Sequence, residues 1–153
     1  MTHAPHERSD TDGLALAATI HCLTGCGIGE VVGLGGATAL GLGNLASLVL
    51  GIVLAYAFGY GLTLVPLLRA GMPLLRATLV TFAAETLSIT TMEIVDNVVV
   101  VAIPGAMDAG ITDLLFWGSL AVSLALAFVA AYPLNRWLVA RGLGHARVHS
   151  QHA

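Results

Sequence analysis

Apolar residues in this chain gather into four long runs, at about 14–38, 44–68, 75–102 and 112–138. Each is at or beyond the roughly 20 residues that a helix needs to cross a hydrocarbon core of about 30 Å. The breaks between them, GLGN at 41–44, RAGMP at 69–73 and PGAMDAG at 104–110, are rich in the residues that interrupt helices. The pattern predicts an all-α fold, an integral membrane four-helix bundle. Residues 1–13 read as a polar, disordered tail and not a signal peptide, because MTHAPHERSDTD has neither a basic n-region nor an A-x-A cleavage site. Residues 14–140 form the transmembrane domain and 141–153 a histidine-containing tail.

Composition narrows the class further. The chain is 57% hydrophobic and 10% charged, contains no lysine, and has a mean hydropathy of +0.88. A soluble domain carries about a quarter of its residues as charges. Lipid is therefore the expected partner of the apolar surface, and no nucleic-acid partner is expected. The arginines are the only fixed cations: Arg8 in the first tail, Arg69 and Arg76 in the second loop, and Arg136, Arg141 and Arg147 at the C-terminal end. With four crossings all of these lie on one side, which the positive-inside rule makes cytoplasmic. Both termini are then cytoplasmic, in a multi-pass protein of the cell (inner or plasma) membrane, and the first and third helices run the same way.

Against this apolar background a few polar residues stand out, because an ionisable side chain near the bilayer centre costs a few kcal/mol or more and marks a site by default. In the first run Cys22, Cys26 and Glu30 recur every fourth residue, on one stripe of a helix, with His21 beside Cys22. A neighbouring stripe, Gly25, Gly29 and Gly33, has the small-xxx-small spacing that draws helix backbones together. In the third run Glu85, Met92 and Asp96 share a face, and Glu93 and Asn97 form an i, i+4 pair. Counted from the same side, Cys26 and Glu85 each stand about twelve residues in, roughly 18 Å deep, with Met92, Asp96 and Glu30 beyond them. Four membrane carboxylates, Glu30, Glu85, Glu93 and Asp96, face no arginine within the runs. Some of them hold protons, or a cation comes and goes.

Thiolate and thioether are soft ligands that suit Cu(I), zinc accepts thiolate and imidazole, and carboxylates suit harder ions or protons. The expected site is an interhelical metal site built from His21, Cys22, Cys26, Glu30, Glu85, Met92, Glu93 and Asp96. Copper is the first choice of ion and zinc the second, bound or carried across the membrane. A disulfide within one helix fits i, i+4 cysteines less well than a shared metal does. Tail histidines His3, His6, His145, His149 and His152 offer further ligands. A four-helix unit is thin for a pore, so a homo-oligomer helped by the glycine stripe is expected. No residue is assigned a catalytic role. Two alternatives stay open: a membrane thiol oxidoreductase using Cys22 and Cys26, and a non-catalytic scaffold in which the polar residues only hydrogen-bond between helices, for example to Tyr56 or Tyr60. Outside the site, Asp113 is placed to cap the fourth helix and Asp108 and Met107 to form a turn. Pro133 is expected to free a carbonyl near Asn135, and Trp117, Tyr132 and Trp137 suit the interfaces.

The stretches HCLTGCGIGEVVG, TMEIVDN with IPGAMDAGITDLLFWG, and YPLNRWLVARGLGHA resemble a family of small bacterial and archaeal membrane proteins known only as a domain of unknown function. The likeness runs from about residue 14 to 146. It implies a four-helix integral membrane protein and carries no activity with it.

Overall fold

In a computed structural model, which describes residues 4–141 and side chains from residue 10, the four apolar runs are four helices. They are α1 (Ala4–Ala39), α2 (Asn44–Arg69), α3 (Leu74–Ala102) and α4 (Leu114–Ala140), with a 3-10 turn at Ala106–Asp108 before the last. All four are long and apolar enough to cross a membrane, α1 over Asp10–Ala39. The protein is an all-α, multi-pass membrane bundle. The four runs read from the sequence coincide with these helices except at the first end, where α1 begins well before residue 14. That end is tied down: Asp12 pairs with Arg136 Nε of α4 at 2.6 Å. His3, His145, His149 and His152 lie outside the described residues, as do Arg147 and the side chains of His6 and Arg8.

The turns close as glycine allows. Gly41 and Gly71 take positive φ, 64° and 86°, immediately after α1 and α2. Each lets the next residue reach back, Leu42 N–H to the Ala37 carbonyl at 2.9 Å and Met72 N–H to that of Leu67 at 3.1 Å, which satisfies carbonyls the helix would otherwise leave open.

Helix α1 touches all three others, and its contact with α2 is the most extensive. There the glycine stripe meets a second small-residue line, Gly51, Ala55, Gly59 and Thr63, in antiparallel register. A Cβ added at Gly25 would fall on the Gly59 backbone, one at Gly29 on Ala55, and one at Gly33 on Gly51. The stripe is thus packed within the chain, against α2. Two hydroxyl pairs join α2 to α3, Tyr56 to Thr90 at 2.6 Å and Tyr60 to Thr86 at 2.8 Å. Asn135 of α4 donates to Thr19 of α1 at 2.9 Å, and so bonds across the bundle instead of serving the backbone near Pro133.

The bundle keeps a set of polar residues inside, beside a few large apolar ones such as Leu67, Ile89 and Met92, and turns many of its large apolar side chains outward. Val53, Leu79, Ile94 and Val129 face outward, as lipid-facing residues should, while the interior holds alanine, serine, threonine and the carboxylates. Side chains of Arg69, Arg76, Arg136 and Arg141 all lie toward one end, called here the arginine end; the 3-10 turn marks the far end.

Candidate functional site

Toward the arginine end, three helices contribute to one chain of hydrogen bonds. Thr63 of α2 donates to Glu85 Oε1 of α3 at 2.6 Å, and the Cys22 thiol of α1 donates to Glu85 Oε2 at 2.9 Å. His21 Nε2 lies 2.9 Å from the Thr63 hydroxyl. Because the Thr63 hydrogen goes to Glu85, His21 is the donor in that contact. Glu85 is completely buried and both of its oxygens are occupied.

The centre of the bundle is sulfur. Cys22, Cys26 and Met92 belong to one buried cluster with Ala55, Ile89, Ala127 and Ala131, against which Tyr56 and Tyr60 pack. Both cysteines are free thiols, 0% and 1% exposed. Cys26 lies beside Glu93, one step farther along.

Past the sulfur cluster, the remaining carboxylates collect around a cavity of about 90 Å³. Glu30 of α1 and Asp96 of α3 stand within hydrogen-bonding reach of each other, with Glu93 close by. Asn97 donates to the Glu93 carbonyl at 2.8 Å and to its carboxylate at 3.4 Å. Glu30, Glu93 and Asp96 each keep one buried oxygen that no donor reaches. Asn44 and Met107 line the cavity toward the far end, and there Asn44 Nδ2 donates to Asp108 Oδ1 at 2.7 Å. Asp113 sits at the N-cap position of α4, but its carboxylate accepts from Gly110 N–H at 2.7 Å and makes no bond to the helix itself.

The eight expected ligands are therefore all at the helix interfaces but do not converge. Among the described residues, no group of three or more His, Cys, Asp and Glu is arranged to hold one ion. His21, Cys22 and Glu85 form one set, and Glu30, Glu93 and Asp96 another. Cys26 and Met92 stand between. The depth expected for Cys26 is off by one turn, since Cys22 is the cysteine that meets Glu85. The glycine seam sets the register of α1, and counting inward from residue 14 takes no account of the helix before it. Tyr56 and Tyr60 bond threonines and not the carboxylates. Thr63, which links His21 to Glu85, was not expected; continuing the Gly51, Ala55, Gly59 line by one more step of four would have found it.

A family model described as a domain of unknown function, DUF4396, matches residues 13–144. The chain belongs to that family. The DUF4396 region takes in the last three crossings, the first from residue 13 onward, and every residue of both polar sets. Comparison with curated proteins and with solved structures gave no match.

Proposed function

We propose that the protein binds a transition-metal ion inside the bundle and passes it across the cell membrane, with Cu(I) the ion its chemistry suits best and zinc the second. The observation that carries this reading is the order of groups along the bundle axis. A carboxylate cavity, a cluster of three sulfurs and a histidine–threonine–carboxylate–thiol chain follow one another, all between the same helices. Soft sulfur at the centre favours Cu(I), and oxygen donors on either side suit a weaker, transient hold. Movement of the ion by short steps from one part of the path to the next agrees with ligands that are spread along it and do not converge. The arginine end is assigned to the cytoplasm on the positive-inside rule.

Thiol exchange fits less well, because both cysteines are sealed on one unbroken helix and no partner thiol reaches them. A purely structural role leaves three buried carboxylate oxygens without donors, a cost that a scaffold would have no reason to keep.

The test is metal analysis of protein purified without oxygen from cells supplied with copper, zinc, nickel and iron. Wild type should retain copper, and the folded Cys22→Ser/Cys26→Ser variant should lose it. Met92→Leu should retain less than wild type. A folded wild type that holds no metal, and that moves none into proteoliposomes, overturns the reading.

A further inference from the structure

The far-end cavity is rich in hydrogen-bond acceptors and poor in donors. Glu30 of α1 and Glu93 and Asp96 of α3 line it, and each keeps one buried oxygen that no donor reaches. Glu93 and Asp96 are only 5% and 4% exposed. Four other lining side chains carry N–H or O–H groups, and each gives a hydrogen elsewhere. Ser47 and Ser119 donate back to the carbonyls of Gly43 and Phe116, and Asn44 donates to Asp108. Asn97 donates to the Glu93 carbonyl and, at 3.4 Å, to the other carboxylate oxygen of Glu93. Buried acceptors without donors are costly, and three of them around one space mark a missing partner.

The missing partner is a cationic donor, and the chain does not supply one. It contains no lysine, and none of the described arginines lines the cavity. A metal ion resting here is a poor match. Hard cations need several oxygens within about 2.0–2.6 Å, and among the described residues no three His, Cys, Asp or Glu are arranged to hold one. An ammonium group reaches farther. Its three N–H bonds leave one nitrogen and meet acceptors at about 2.7–3.2 Å, so it binds carboxylates from two helices without the convergence that a metal demands.

The rest of the lining fits the other half of such an ion. Leu34, Leu48, Ile52, Val100 and Leu120 form an apolar wall, suited to carbon and not to a second polar group. The space is about 90 Å³. One water needs roughly 10–15 Å³, so an ammonium head with a short alkyl chain has room. Asn44 and Met107 stand where the cavity meets the far end.

We propose that this cavity binds a small primary alkylammonium ion, its nitrogen held by Glu30, Glu93 and Asp96 and its carbon chain laid against the apolar wall. The ion enters from the far end, past Asn44 and Met107. The inference goes beyond the metal reading and does not rest on it, since it requires no ion at the sulfur cluster.

Calorimetric titration of the full chain in nanodiscs, stripped of metal with a chelator, tests the site with ethylammonium as the probe. Wild type should bind it saturably. Potassium and tetramethylammonium carry the same charge without an N–H, and neither should displace ethylammonium at equal concentration. Glu93→Gln and Asp96→Asn should each weaken binding about tenfold or more, the loss expected when one charge-assisted hydrogen bond is removed. Thermal melts identify which variants are folded, and the comparison of probes on wild type needs no variant. The proposal is overturned if wild type does not bind ethylammonium, if potassium or tetramethylammonium displaces it equally well, or if folded Glu93→Gln and Asp96→Asn both bind as wild type does. Copper retention is measured on separate samples: a wild type that binds ethylammonium and retains no metal loses only the metal reading.

Discussion

Thr63 gives its hydrogen to Glu85 and receives one from His21, so the isosteric Thr63→Val change removes a hydrogen bond from the fully buried Glu85 and another from the half-buried His21. A buried polar group left without its partner costs about 1–3 kcal/mol. Thr63→Val should therefore lower the unfolding midpoint in detergent, while Thr63→Ser, which keeps the hydroxyl, should recover most of the loss. Thr24→Ala provides the contrast, because its hydroxyl only returns to the Ile20 carbonyl on an exposed face. Legibility at this scale follows chemistry. Carboxylates and thiols in an apolar run announce themselves by their cost, and all eight expected residues are found where helices meet. A threonine in a membrane helix costs little, so Thr63 gave no comparable signal, and the division of the eight into separate sets depends on register that only packing fixes.

At the scale of the element, the seam between α1 and α2 dominates. Gly29 approaches Ala55 so closely that any side chain must push the helices apart, whereas a Cβ at Gly35 meets nothing within 4 Å. Gly29→Leu should cost about 3 kcal/mol or more, at or above the upper end of the overpacking range, read as loss of the folded peak on size exclusion and in thermal melts. Gly35→Ala should be neutral or stabilising by up to about 1 kcal/mol, through helix propensity alone. Helix extents were legible because length and hydropathy are one-dimensional properties. The early start of α1 was not, since Ala4–Gly13 is polar and its Asp12 finds Arg136 only when α4 is beside it. The partner of the glycine stripe was equally hidden, because spacing announces a close approach without saying to what.

For the whole molecule, the distribution of charge makes a prediction about sidedness. In the orientation proposed above, an exposed residue near the far end and one near the arginine end should differ in access. In a Cys22→Ser/Cys26→Ser background, Leu42→Cys should react with an impermeant maleimide added to intact cells, and Leu74→Cys only after the membrane is opened. The reverse pattern would invert the bundle and, with it, the side from which the far-end cavity is reached.

The seam also bears on how the bundle can move. Where α1 meets α2, backbone lies on backbone, with no rotamers in between to absorb a displacement. The two helices must travel as a single stiff plate, and any shear is left to the surfaces around it. On the α3 side, the plate is held by two tyrosine–threonine clasps placed four residues apart on both strands of the contact. Sliding α3 by one helical turn would undo both clasps and bring one tyrosine opposite the other's former threonine. The contact between α2 and α3 is thus notched at the pitch of the helix, and its resting positions are discrete.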